Sequence, residues 1–248
     1  MSNDLSRYSK TFAVSCSRDP SPRKPLHSDG SWGNLQRSLE NRTLTILDIA
    51  TAVGNQHVLS SWFQKGQEGT ISGFLRTQLI GVDWDDETEE SDMATILKIP
   101  FVKTQAAVVY TTQSNTNENP RTRALFLMDE WCSDPIWYRI HAKALIAMLG
   151  GDISCCHSNK MFHGTGKDGM VVITGNVLPV SILKIVCDDY ASACLDMRHK
   201  YHAEGGRSPG AITREAVVDA LSRIPNHLDY RDWLRVLMAV HTVFPNDE

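Results

Sequence analysis

Two aspartates separated by a tryptophan stand at the end of an apolar run, Leu79-Ile80-Gly81-Val82-Asp83-Trp84-Asp85, and an acidic stretch follows them to Asp92. In a β-strand side chains alternate between faces, so Asp83 and Asp85 would share one face and Trp84 would take the other. Two ionised carboxylates one strand step apart need water, protons or a cation. Hard divalent ions such as Mg²⁺ or Mn²⁺ accept such oxygens, keep waters and take substrate phosphates in their remaining positions. Two such ions serve in-line displacement at phosphorus, one on the attacking oxygen and one on the leaving group. The plain alternative is a solvated acidic loop. The apolar lead-in argues against it, because it makes Asp83 the end of a buried strand. A third carboxylate, Asp129, ends the apolar run Ala124-Leu125-Phe126-Leu127-Met128, where an adjacent strand would present it beside the first pair. A capping aspartate at a strand-to-loop junction is the alternative there.

The elements that must position these groups follow from periodicity and punctuation. Residues 1–31 are polar, carry Pro20, Pro22 and Pro25, and read as a loosely ordered leading segment. A short helix is predicted from Trp32 to about Leu39, and a second after Thr45 as N-cap, through Val53 to a stop at Gly54. Strands are predicted at 57–63 and 74–85, with a short helix at 91–97. Two further strands, 106–112 and 123–128, flank the turn-like segment Gln113-Ser-Asn-Thr-Asn-Glu-Asn-Pro120 and form an antiparallel hairpin. Trp137 to Leu149 has helical spacing and meets Gly150-Gly151; a short strand covers 171–173. A long helix runs from Ser181 to about His202, with Ile182, Ile185, Val186, Tyr190, Ala193 and Met197 as its buried stripe. The whole is an α+β domain over 1–204, a linker over 205–212 and a helical module over 213–248.

Bulk properties are permissive. The chain has 248 residues, 42% hydrophobic and 22% charged, with a formal net charge of −4. That balance does not mark a protein whose main task is coating nucleic acid, but an acidic metal site and a local basic groove can share one domain. The first residues lack the apolar stretch of a signal peptide and no run is long enough for a membrane span. The six cysteines are scattered without CxxC spacing, which suits a reduced, cytoplasmic protein with free thiols. Cys155, Cys156, His157 and His163 have no spacing that favours a tetrahedral zinc site, so packing is their expected role.

The order of these pieces resembles the archaeo-eukaryotic primase superfamily, in the form of the primase-polymerases of phages, plasmids and other mobile elements. The resemblance rests on Asp83-Trp-Asp85, on Tyr110-Thr-Thr-x-Ser114-x-Thr-x-Glu-x-Pro-Arg121-x-Arg123, on the apolar strand ending at Asp129, and on Asp152-Ile-Ser-Cys-Cys-His-Ser-Asn-Lys160-Met-Phe-His163-Gly. Trp32-Gly-Asn-Leu35 fits that family's first helix. Val217 to Ala239 is similar to the helical module that often follows such primases.

The resemblance implies a primase-polymerase core: an RRM-like antiparallel sheet flanked by helices, plus an all-helical C-terminal module. It implies a template-dependent nucleotidyltransferase that makes primers or extends DNA for a mobile element or phage. Asp83, Asp85 and Asp129 would hold Mg²⁺ or Mn²⁺, and Ser114, Asn115, Arg123, Lys160 and His163 would bind the nucleotide. Asn115 stands where the family carries a histidine, and it offers a hydrogen bond without positive charge. The expected partners are single-stranded DNA template, NTP or dNTP, and a helicase as attached domain or partner, with no membrane. The alternative is a catalytically weakened DNA-binding or replication-initiation module on the same fold.

Overall fold

The computed structural model describes residues 9–25, 30–85 and 89–203. In chain order it has β1 (Thr11–Ser17), α1 (Ser31–Ser38), β2 (Leu39–Thr45), α2 (Ile46–Gly54), β3 (Leu59–Ser60), β4 (Trp62–Phe63) and β5 (Phe74–Trp84). There follow α3 (Met93–Ile96), α4 (Pro100–Gln105), β6 (Val108–Thr111), β7 (Thr122–Cys132), α5 (Pro135–Leu149), β8 (Val171–Ile173) and α6 (Val180–Ala203). The linker and helical module expected after residue 204 lie outside the described residues.

Local chemistry explains the helix boundaries. Thr45 and Asp48 form a reciprocal capping box at the start of α2, which buries Ile46, Ile49, Ala50 and Val53 on one face. Asp134 caps α5 by accepting from the amides of Ile136 and Trp137, Pro135 fills the first helical position, and Gly150 at φ 67° stops the helix.

The strands form a three-stranded sheet, β2-β1-β3, and a five-stranded sheet, β4-β5-β7-β6-β8, with antiparallel pairing throughout. The protein is thus α+β with antiparallel sheets. Strand β7 lies between β5 and β6, which the helices α3 and α4 connect, so the sheet's centre is a split β-α-β unit. This is the centre that an RRM-like sheet requires. The edges depart from it, because β8 pairs with β6 while the short β4 borders β5. Val82, Ile80, Leu125 and Leu127 lie in the core, which is continuous with Phe12 and Val14 of β1 and with Ile49 and Val53 of α2.

Several expectations are corrected. The leading segment contains β1, the central strand of the small sheet, buried from Phe12 to Ser17. Its serines hid it: Ser15 donates to Asn41, and Ser17 donates to the Asp19 carbonyl and accepts from the Val58 amide, so they are buried with partners. Residues 57–63 do not make one strand but two short ones, in different sheets. Ile185 is exposed, while Leu183 and Val186 are buried on α6. Strand β7 continues past Met128 to Cys132, which puts Asp129 inside the strand.

Candidate functional site

The end of β5 lies beside the start of β7. The register pairs Asp83 with Arg123, and Arg123 in turn with Tyr110 on β6. The Arg123 fork engages both carboxylate oxygens of Asp83, Nη2 at 2.6 Å from Oδ2 and Nε on Oδ1. Its Nη1 donates to the Tyr110 hydroxyl at 3.1 Å and to the His163 carbonyl at 2.8 Å. Asp83 is 9% exposed and Arg123 4%. Burial works to raise the Asp83 pKa, but the adjoining Arg123 charge and its hydrogen bonds outweigh it, so the carboxyl is held below its usual range. Burial pushes the Tyr110 hydroxyl up to about 12, so it stays a neutral donor and acceptor in the network.

The segment after α5 folds over this ladder. The Asp152 amide donates to the Asp83 carbonyl at 2.8 Å. Phe162 and Leu59 exchange backbone hydrogen bonds at 2.8 and 2.9 Å, and Ser60 donates to the Lys160 carbonyl. The Phe162 ring lies over Gly81, where an added Cβ would fall 2.3 Å from it. Only glycine at 81 lets the ring cover β5 next to Asp83.

Together these pieces enclose a cleft of about 370 Å³ whose lining includes Asp83, Asp85, Asp152, Lys24, Lys160 and His163. A volume of this size is in the range of small-ligand sites. Asp152 accepts from the amide and hydroxyl of Ser154, and Lys160 Nζ donates to the same hydroxyl at 3.2 Å. His163 is buried with Nδ1 unpartnered among the described residues. Burial and then the Arg123 charge depress its pKa to about 4, which keeps the imidazole neutral. Burial pushes the Cys155 thiol up to about 12, with the Asp83 charge acting in the same direction.

The structure gathers Asp83, Asp85, Arg123, Lys160 and His163 at one place and leaves the other three site residues outside it. Asp129 is six positions along β7 from Arg123, roughly 20 Å at the rise of a strand. The cause is direction: β7 runs antiparallel to β5, so its beginning, not its end, meets Asp83. Asp129 instead accepts from the Val180 amide at 2.8 Å, at the start of α6. Asn115 accepts from the Arg121 amide at 2.8 Å and closes the β6–β7 turn; Ser114 lies in the same turn, and neither lines the cleft. Arg123, expected to grip phosphate, has its fork on Asp83, Tyr110 and the His163 carbonyl. Sequence reasoning missed Asp152 and Lys24 as site residues. Asp152 had a signal, as the first residue of the run that ends at His163; Lys24 had none beyond its charge.

The donors fit a hard divalent cation by chemistry. Arg123 occupies one acceptor direction on each Asp83 oxygen, whereas a carboxylate offers about four. Among the described residues no three His, Cys, Asp or Glu side chains stand close enough to hold an ion by themselves. Mg²⁺ is commonly held by one or two carboxylates with waters completing the shell, and Asp83 and Asp85 are the carboxylates that would hold it.

No protein-family model matches the chain. No curated protein matches it either. Among solved structures, the AEP domain of the cyanophage S-2L primase-polymerase is similar over 74% of this chain and 94% of its own, at 12% identity and a TM-score of 0.43. Primase RepB′ is similar over 89% of this chain and 73% of its own, at 12% identity and a TM-score of 0.35. No helix among the described residues is long and apolar enough to cross a membrane.

Proposed function

We propose that this chain is a nucleotidyltransferase of the primase-polymerase kind, working on a single-stranded DNA template with NTP or dNTP. The observation that carries the reading is the convergence of Asp83, Asp85 and Asp152 with Lys160 in one cleft. Carboxylates at and just past the end of β5, and one from the segment after α5, would hold Mg²⁺ or Mn²⁺, with Asp83 and Asp85 as the primary pair. Bound there, a divalent ion supplies charge neutralisation at the α-phosphate and the departing pyrophosphate.

The chain's own residues do the rest. Arg123 fixes the rotamer of Asp83 by two parallel hydrogen bonds, so the carboxylate is oriented before any ligand arrives. Lys160, held toward Ser154, places an ammonium in the cleft where triphosphate oxygens would lie. The neutral His163 ring offers a donor or acceptor without adding charge. Phe162 covers β5 and keeps water from that side of Asp83.

The test is synthesis. Purified protein is incubated with single-stranded template, labelled NTP or dNTP, and Mg²⁺ or Mn²⁺. Labelled product, lost in Asp85→Asn, is the expected result. Absence of product alongside intact DNA binding would favour the alternative, a DNA-binding or replication-initiation module that has lost the chemistry.

A further inference from the structure

The cleft's chemistry leaves a gap on the cationic side. A nucleoside triphosphate brings three phosphates, and the arginine expected to meet them is turned inward. Arg123 gives Nε and Nη2 to Asp83 and Nη1 to Tyr110 and the His163 carbonyl, while 4% exposed. Moving it to a ligand would leave Asp83 buried without its counter-charge, at a high cost. Among the described residues, the other cationic side chains lining the cleft are Lys24 and Lys160, beside the histidines His157 and His163.

Lys24 comes from the segment Arg18–Pro25, which carries no helix or strand yet is tied down along its length. The Arg18 amide donates to the Ser38 carbonyl at 2.8 Å, and the Ser21 amide to the Gln56 carbonyl at 2.8 Å. Gln113 Nε2 donates to the Ser21 carbonyl, and the Ser21 hydroxyl closes onto the Arg23 carbonyl at 3.0 Å. These bonds fix the backbone three residues from Lys24 and bring the lysine to the cleft wall.

We propose that Lys24 is a phosphate-binding residue of this cleft, gripping with Lys160 the triphosphate of the incoming nucleotide in the role that Arg123 has given up to Asp83. This rests on the nucleotidyltransferase reading above. The electrostatic surroundings agree with it. Partial burial lowers the Lys24 pKa, and the nearby Arg123, Arg121 and Lys160 charges lower it further, with Asp83 opposing. An ammonium that feels three like charges and one opposing carboxylate gains from a polyanion bound among them. A strand phosphate has the same chemistry as a nucleotide phosphate, and the experiment separates the two.

Calorimetric titration of the whole chain with a non-hydrolysable nucleoside triphosphate, with Mn²⁺ present and no template, reads the site directly. Parallel titrations use the matching nucleoside and an oligothymidylate. Lys24→Ala and Lys24→Gln should each weaken triphosphate binding by roughly tenfold or more, the scale of one lost charge-assisted contact. Nucleoside and oligothymidylate affinities and the melting temperature should stay unchanged, and Lys24→Arg should recover most of the loss. Unchanged triphosphate affinity in both variants, while the wild-type chain binds it, overturns the inference and leaves the nucleotidyltransferase reading standing. Loss confined to the oligothymidylate overturns it in favour of a strand contact. A wild-type chain that binds no triphosphate removes the nucleotidyltransferase reading and this inference together.

Discussion

Arg123 reaches across the β5–β7 ladder and takes both oxygens of the Asp83 carboxylate, with its Nη2 2.6 Å from Oδ2. Both residues are nearly sealed from solvent, so the pair is coupled in stability as well as in geometry. Removing either partner leaves a buried charge without its counter-ion, which typically costs about 3–5 kcal/mol. Removing both leaves neither charge behind. Asp83→Ala and Arg123→Leu should each lower unfolding stability strongly, and the double variant should lose clearly less than their sum. Urea denaturation of the four proteins measures this; additive losses would mean the pair is not coupled.

Asp129 should prove dispensable for synthesis. It sits six positions along β7 from Arg123 and holds the Val180 amide, one of the otherwise unsatisfied donors at the start of α6. Asp129→Ala should therefore cost on the order of 1 kcal/mol in stability, the scale of a lost helix cap. Its rate of nucleotide incorporation, measured below its melting temperature, should match that of the unmodified chain. A hundredfold fall in that rate would restore it to the site.

His163 predicts a pH effect whose sign follows from its burial. Its folded-state pKa is about 4, against roughly 6.5 for an ordinary histidine. Between those values the unfolded chain binds the extra proton and the folded chain does not, so stability rises with pH across that window. The contribution is fully present above about pH 6.5 and is lost as pH falls toward 4. At about 1.4 kcal/mol per unit it amounts to roughly 3 kcal/mol. Denaturation midpoints at pH 7 and 4.5 should converge in His163→Gln relative to the unmodified protein; equal pH slopes in the two would show that another group carries the effect.

How much of this was legible follows the same division between local and long-range information. The apolar lead-in was enough to place Asp83 at the end of β5 and Asp85, one residue past the strand, at the same cleft. The β6–β7 hairpin was also legible, because both strands and their turn are contiguous. What was not legible was the pairing of β7 with β5, whose register depends on residues forty apart in sequence. That pairing decides whether Arg123 or Asp129 faces Asp83. Lys24 was hidden differently. Its segment looks unstructured by composition, and long-range contacts such as those of Ser21 with Gln56 and Gln113 hold it against the fold. Asn115 drew attention as a substitution at a functional position, whereas its side chain closes a turn.

The third carboxylate of the cleft is the sharpest remaining test, because its charge and its structural role can be separated. Asp152 Oδ1 accepts from the Ser154 amide at 2.9 Å, capping the short 3₁₀ turn Ile153–Cys156, and its own amide donates to the Asp83 carbonyl. Asparagine can keep the cap through its carbonyl oxygen, and the backbone bond does not depend on the side chain. Asp152→Asn therefore removes the charge and leaves the turn. If Asp152 contributes its charge to holding a divalent ion with the nucleotide, this variant should show a melting temperature within about 2 °C of the parent's, the shift expected for a few tenths of a kcal/mol. Its half-saturating Mn²⁺ concentration should rise by roughly tenfold or more, as expected for a lost charged ligand. Asp152→Ala should show the same Mn²⁺ defect and, in addition, a lower melting temperature from the lost cap. An Asp152→Asn protein with normal Mn²⁺ dependence would confine Asp152 to capping and leave the ion to Asp83 and Asp85.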